Sequence, residues 1–396
     1  MNKRILVLNA GSSSIKFALF EAGKHAYPQQ AQLQGTISEL GTAPAFSARD
    51  PAGNALAGHL PADANTHKSA LAWLFDWLRE HQDGQLIGAG HRVVHGGEHF
   101  CEPLLIDAKA LAALERLVPL APLHQPHNLA AIRALMLLQP SLPQVACFDT
   151  AFHRTQDALA QNFALPRELT ASGIKRYGFH GLSYEHIASV LPQHLGPRAD
   201  GRVIVAHLGN GASLCALHRG KSVATTMGFT ALDGLMMGTR CGSLDPGVIL
   251  YLMREKRLSP EQIEDLLYRQ SGLLGVSGIS SDMRELLAST APAAAEAIDL
   301  FCYRALREIG SLTAALGGLD ALIFTAGIGE RSHAVRARIC DQLAWLGLKI
   351  NQDANRAHQT TINGAASRVA VHVIPTNEEA VIARSTAALL QLEITR

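Results

Sequence analysis

Two distant segments of the chain repeat one plan, and that repeat limits the possible folds more than any other feature. The first starts at Arg4, runs through the apolar stretch Ile5–Leu8 to Asn9-Ala10-Gly11, crosses Ser12-Ser13-Ser14 and resumes with Ile15, Phe17 and Leu19 alternating. The second starts at Arg202, runs through Val203–Ala206 to His207-Leu208-Gly209, crosses Asn210-Gly211-Ala212 and resumes over Leu214–Leu217. In both, a glycine stands seven positions after the basic residue. Each pattern predicts a strand, a tight loop rich in Gly, Ser and Asn, and a second strand. One such hairpin carries little weight; two in register predict a duplicated domain. The length agrees, because 396 residues at roughly 150 per domain give two or three domains.

Helical patterns separate the strands. Thr66 is a candidate cap for a helix over 66–81 that sets Ala70, Leu74, Trp77 and Leu78 on one face. Ser259-Pro260-Glu261 opens another, with Ile263, Leu266 and Leu267 as its apolar stripe. Leu322-Ile323-Phe324 predicts a short strand leading through Thr325–Glu330 into a helix; Val371–Ile374 predicts a strand, followed by a last helix to about Leu392. Strands alternating with helices argue for a mixed α/β fold. Residues 41–66 lack periodicity and read as surface loops, and a domain boundary is expected between 149 and 175.

Charge and cysteine usage exclude several classes. Thirty-five Lys and Arg against 34 Asp and Glu leave a net charge of +1, which offers no basic field for a nucleic acid backbone. Six cysteines, at 101, 147, 215, 241, 302 and 340, never reach C-x-x-C spacing, so they read as reduced thiols of a cytoplasmic protein. No apolar run is long enough to span a membrane, and Ile5–Leu8 is too short for a secretory segment.

Three Gly-rich segments follow strands, at 9–14, 209–211 and 326–329. Glycine lets backbone N–H groups approach a phosphate without a Cβ clash. No G-x-x-x-x-G-K-[ST] and no strand-to-helix G-x-G-x-x-G occurs, so neither a Walker-type nor a dinucleotide site is supported. Any one loop reads equally as a hairpin turn; all three, with Lys16 beyond the first, favour ATP between two duplicated domains.

His91, His95 and His99 have helical metal spacing, but Gly96-Gly97 interrupts any helix there. His180 lies in Tyr177-Gly178-Phe179-His180-Gly181, where a loop could present it, although a lone histidine there also suits packing. Arg92, before Val93-Val94-His95-Gly96-Gly97, and Arg240, in Gly238-Thr239-Arg240-Cys241-Gly242, look poorly placed for helix or sheet packing. Each could reach an anion with its planar fork or stand as a solvated loop charge. Asp149 ends the apolar run Val145–Phe148, and strand C-termini are where α/β folds place ligands. Glu378 and Glu379 open the last helix, with Thr376 and Glu379 in capping-box spacing, so dipole complementation also explains them. No G-x-S-x-G elbow is present.

Taken together these residues resemble the acetate kinase family. The likeness is carried by Asn9–Lys16, His91–Gly97, Phe148-Asp149-Thr150-Ala151-Phe152-His153, Tyr177–Gly181, His207–Gly211, Met237–Gly242, Ala326–Glu330 and Pro375-Thr376-Asn377-Glu378-Glu379, in order along the whole chain. The resemblance implies duplicated ribonuclease-H-like α/β domains of the actin and sugar-kinase ATPase type facing a central cleft. It places one domain at 1–149 plus 382–396 and the other at 150–381. It implies reversible, direct in-line transfer between ATP and acetate, giving ADP and acetyl phosphate, with Mg²⁺ (for which Mn²⁺ could stand in), in a cytoplasmic homodimer.

It also implies roles. Arg92 would bind the acetate carboxylate, Arg240 would steady carboxylate and phosphoryl, and His180 would donate to the equatorial oxygens. Asp149 would be the catalytic acidic residue, acting on metal or water because acetate is already ionised at neutral pH. Asn9 and Glu378 would hold Mg²⁺. Ser12, Lys16 and His207, Leu208, Gly209, Asn210 and Gly211 would meet the phosphates, Asp282, Met283 and Arg284 the nucleoside, and Gly327, Ile328, Gly329, Glu330 and Arg331 the adenosine. Val94, Leu123 and Phe179 would line the methyl pocket, and Ala231 stands where many relatives have proline, so propionate is an expected second substrate. The rival readings are a kinase for propionate or butyrate, a nucleotide-gated module of the chaperone or actin type, and a zinc hydrolase built on the histidines.

Overall fold

The computed structural model describes residues 2–22 and 30–390; Gln391 and Leu392 of the expected last helix, and the rest of the expected domain segment to 396, lie outside them. The chain forms two compact units. One extends to Phe152 and resumes at Asn377; the other is His153–Thr376.

The first unit holds β1 (Lys3–Ala10), β2 (Ile15–Glu21), β3 (Leu33–Ser38), β4 (Ala45–Arg49), β5 (Ala55–Leu56), β6 (Gln85–Val93), β7 (Leu104–Leu105) and β8 (Gln144–Phe148). They form one sheet in the order β5-β4-β3-β2-β1-β6-β8-β7. The second unit holds β9 (Arg202–Leu208), β10 (Ala212–His218), β11 (Lys221–Thr225), β12 (Ala321–Thr325) and β13 (Ala370–Val373), ordered β11-β10-β9-β12-β13. In each unit an antiparallel three-strand meander, β1 to β3 or β9 to β11, continues into two parallel strands, β6 and β8 or β12 and β13. The repeated hairpins, β1–β2 and β9–β10, begin these two meanders, so the duplication legible in the sequence is a duplication of sheet topology.

The central strands are buried on both faces, as parallel neighbours covered by helices require. Ile5, Leu6, Val7 and Leu8 are each no more than 1% exposed. One face of the first sheet packs on the helix His67–His81, whose Ala70, Leu74, Trp77 and Leu78 are all buried. Thr66 caps that helix, accepting from Ser69 N while the Ser69 hydroxyl accepts from Thr66 N. On the other face lies the terminal helix Glu378–Leu389. It approaches so closely that a Cβ on Gly90 would stand 2.3 Å from Thr386 Oγ1 and 2.5 Å from Ile382 Cγ2. The whole of this helix lies in the first unit, which resumes at Asn377.

Three expectations change. Residues 41–66 contain β4 and the two-residue edge strand β5 at one end of the sheet; Ala48 is the only buried residue of β4, so the apolar pattern is sparse; Phe46 stacks on Phe17 and meets Trp73 and Trp77 edge-on. The last helix is capped by Asn377, whose Oδ1 accepts from Ala380 N at 3.0 Å. Thr376 is engaged elsewhere, its N–H donating to Glu330 and its hydroxyl bonded to Ser183, so no Thr376–Glu379 box forms. Arg92 is on a strand, paired with Cys147 in the β6–β8 ladder, and reaches its partners from the strand end.

Candidate active site

In the first unit the chemistry gathers at the ends of β1, β6 and β8. Arg92 donates from Nε to Asp149 Oδ1 at 3.2 Å and from Nη2 to Oδ2 at 2.5 Å, a two-pronged pair of the strongest geometry. Its Nη1 donates to Asn9 Oδ1 at 3.3 Å. Asp149 follows β8 directly and its side chain is 1% exposed. Burial pushes the Asp149 carboxyl up, opposed by Arg92. Burial alone would lower Arg92, but Asp149 and Glu378 raise it above its ordinary value. Glu378 is pushed up to about 7, first by burial and then by Asp149 and Glu379, with Arg92 and Lys16 opposing. Lys16 pairs with Asn9 across the β1–β2 hairpin. Ser12 is exposed in the turn, which Gly11 N closes onto Ser14 O at 2.8 Å. Val94 is buried and its N–H donates to Asn128 Oδ1, while Asn128 Nδ2 donates to Ala10 O at 2.7 Å, tying that turn to β6. Leu123 is half-buried just before the helix Gln125–Leu138.

In the second unit His180 and Arg240 converge on the β9–β10 turn. A Cβ on Gly211 would stand 2.8 Å from Arg240 Nη2 and 3.2 Å from His180 Nε2; glycine is needed there for two donors to reach the backbone. His180 has φ of +59°, a left-handed conformation that costs a non-glycine residue energy. Its ring stacks on His207, centroids 4.1 Å apart. The loop before it is pinned by buried His153, whose Nε2 lies 2.9 Å from Phe179 O and Nδ1 2.9 Å from Ser222 Oγ. A carbonyl only accepts, so Nε2 carries the proton and Nδ1 accepts from Ser222. Phe179 is buried, and the Ala231 carbonyl accepts from Arg240 Nη1.

A cavity of about 570 Å³ opens beside that turn, lined by Gly209, Asn210, Asp282, Met283, Arg284, Gly327, Ile328 and Arg331 among others. Asp282 caps the helix Met283–Ala288 and binds the Arg284 guanidinium, chiefly through that bond holding its carboxyl down at about 2. The remaining expected nucleotide residues do not line it. Leu208 is fully buried, Gly329 packs toward Ala206 O on β9, and Glu330 Oε1 accepts from Ala326 N and Thr376 N. Glu330 therefore braces the β12-to-helix junction. The segment 326–329 is already helical, within Ala326–Arg331, not a free turn.

A family model described as the acetokinase family matches residues 4–384. The chain belongs to the acetokinase family. An acetate kinase of Rhodopseudomonas palustris is 55% identical over 388 residues, covering 97% of this chain and 98% of that one. Among solved structures, a propionate kinase from Francisella tularensis superposes with a TM-score of 0.91 at 38% identity, covering 98% of this chain and 99% of the other. Acetate kinase from Porphyromonas gingivalis gives 0.88 at 35% identity, covering 98% and 100%. The fold is accordingly the acetokinase version of the actin and sugar-kinase architecture.

The first-unit cluster is where a divalent cation could be held. Asn9, Asp149 and Glu378 carry the oxygen donors that such a cation prefers. Among the described residues no three His, Cys, Asp or Glu side chains form a metal-binding group.

Three further residues carry no mark in the sequence. Ser213 and Tyr184 stand behind His180, and Arg336 is entirely buried with its guanidinium held by neutral acceptors. Arg336 donates to Gly329 O, Glu330 O and Asn355, and burial pulls its pKa down to about 10. A serine on a strand and an arginine inside a helix carry no local signal that could have marked them.

Proposed function

We propose that the chain catalyses reversible transfer of the γ-phosphoryl group of ATP to acetate, giving ADP and acetyl phosphate. The observation that carries this reading is Gly211, approached by both Arg240 and His180 at a turn bordering the 570 Å³ cavity.

A carboxylate oxygen of acetate forms a bond to the γ-phosphorus, and the bond to the β–γ bridging oxygen breaks with its electron pair leaving on ADP. No proton changes hands, since acetate is already ionised at neutral pH. The barrier is electrostatic and positional, one anion approaching another in line. Arg92 binds the acetate carboxylate, with Asp149 holding its fork flat. Arg240 steadies carboxylate and phosphoryl, and His180 donates to the equatorial oxygens. Asp149 orients water or metal and is not a base. Held through Asn9 and Glu378, Mg²⁺ would neutralise charge on the phosphate oxygens; Mn²⁺ has the same donor preferences.

Ser12, Lys16 and His207–Gly211 serve the phosphates, Asp282–Arg284 the nucleoside and Gly327–Arg331 the adenosine. For Leu208 and Glu330 this role is through the backbone, given where their side chains are engaged, and Gly329 has only its backbone to offer. Val94, Leu123, Phe179 and Ala231 face the methyl group. The two compact units correspond to the two domains of the family.

A homodimer is supported by the helix Pro246–Arg254, which buries no residue although Val248, Leu250, Tyr251 and Met253 lie on it, 38% to 53% exposed; a second copy would cover them. A cytoplasmic setting is supported by six free cysteines; among the described residues no helix is long and apolar enough to cross a membrane.

The test is to mix enzyme, ATP, Mg²⁺ and acetate and trap the acyl phosphate as a hydroxamate. Acetate-dependent hydroxamate is expected; slow ATP hydrolysis without it would leave a nucleotide-gated module as the better reading.

A further inference from the structure

The imidazole of His180 is held from behind by two hydroxyl groups. Its Nδ1 lies 2.8 Å from Ser213 Oγ, and Ser213 Oγ is in turn hydrogen-bonded to the Tyr184 phenol. Both supporting side chains are wholly buried. Tyr184 stands one helical turn after His180, with Tyr184 N bonded to His180 O at 3.1 Å, and Ser213 is on β10 directly across from His207. Ser213 Oγ, on the sheet, therefore stands between the imidazole and the phenol that the helix Gly181–Leu195 supplies.

A neutral imidazole donates from one nitrogen and accepts at the other, and the bond made by one nitrogen selects the tautomer. The direction of the relay follows from acidity. A phenol, with a pKa near 10, is a far better donor than an aliphatic hydroxyl, so Tyr184 donates to Ser213. Ser213 has a single proton, which that arrangement leaves for His180 Nδ1. Nδ1 then accepts, and the ring proton sits on Nε2, the nitrogen that faces Gly211 and the turn reached by Arg240. The opposite tautomer would present a lone pair to a phosphoryl oxygen and repel it.

We infer that Ser213 and Tyr184 are positioning residues that hold neutral His180 in the tautomer protonated on Nε2, so that it meets the transferring phosphoryl group as a donor. The catalytic part of this inference rests on the role given to His180 above; the tautomer itself does not.

The experiment is nitrogen NMR of the full-length enzyme with ¹⁵N-labelled histidine, without substrate and at mildly alkaline pH, His180 being assigned by loss of its signals in His180→Ala. The expected spectrum shows an unprotonated Nδ1 and a protonated Nε2. Ser213→Ala should drift toward a mixture of tautomers and lower kcat about tenfold, the worth of roughly one such hydrogen bond, with KM for ATP and acetate within about twofold. Tyr184→Phe, which keeps the buried ring, should show the same drift and a smaller fall, and decides the matter should Ser213→Ala not fold. In a His180→Ala background Ser213→Ala should cost nothing further. A proton on Nδ1, or an imidazolium, in the unmodified enzyme overturns the inference. So does a folded Ser213→Ala or Tyr184→Phe enzyme with unchanged tautomer, or an added loss in the double variant. If His180→Ala turned over normally, the catalytic role would fall while the shifts still decided the tautomer.

Discussion

Arg240 donates from Nη1 to the carbonyl oxygen of Ala231, 2.6 Å away. The two arms of the guanidinium are thereby divided, one anchored on a loop backbone and the other, Nη2, aimed at the turn around Gly211. Lysine has one charged centre and cannot serve both points. Arg240→Ala should lower kcat by about 10³ to 10⁵, the range for an arginine acting on a transferring phosphoryl group, and Arg240→Lys should recover little of it. Steady-state kinetics on variants with native circular dichroism checks this.

Because that anchor is a backbone oxygen, it survives a change of side chain at 231. Ala231→Pro should keep turnover on acetate within a few-fold and raise the acetate to propionate ratio of kcat/KM by about tenfold, since one methylene discriminates by roughly 1 to 3 kcal/mol. A ratio unmoved by the substitution removes residue 231 from the methyl pocket.

Arg92 is the guanidinium against which buried Asp149 is paired. Arg92→Ala should abolish activity and also destabilise the protein by about 3 to 5 kcal/mol, because an uncompensated charge remains inside. The double variant Arg92→Ala/Asp149→Ala should regain much of the stability and none of the activity, as denaturant unfolding and the hydroxamate assay together would show.

Buried Arg336 ties the end of the helix Ala326–Arg331 to Asn355, and that helix lines the 570 Å³ cavity. Arg336→Met strands several buried acceptors, each worth roughly 1 to 3 kcal/mol. The expected result is KM for ATP raised at least about tenfold with KM for acetate little changed, read from initial rates at saturating partner substrate.

His153 and His91 are both buried, and burial lowers each from 6.5 to about 4. Below pH 6.5 the unfolded rings take up protons that the folded rings refuse until about 4. Stability is therefore full above the upper value and falls with pH through the window, by on the order of 3 kcal/mol for each ring. Urea unfolding across the acid range should show this slope, and His153→Gln should flatten it while lowering stability at neutral pH through loss of the bond to Phe179 O.

Much of this was readable along the chain because it depends on neighbours in sequence. The caps at Thr66 and Ser259, each part of a capping box, are satisfied by residues three positions away. The Gly-rich turns at 11 and 211 close within their own hairpins. The strands β4 and β5 leave a weak period because together they bury one residue, Ala48, and the glycines after Arg92 give a strand residue the look of a loop residue.

Local pattern was sufficient for the duplicated hairpins, the mixed α/β class and the kinds of side chain the chemistry needs, because strand period, turn geometry and capping act over a few residues. Which partners those side chains keep was decided only by folding. Arg92 meets Asp149 across 57 positions, His180 meets Ser213 across 33, and Arg336 reaches Asn355 across 19. Burial then changes the energy of every charge and hydrogen bond among them, through a low-dielectric interior that no short stretch of chain can create alone.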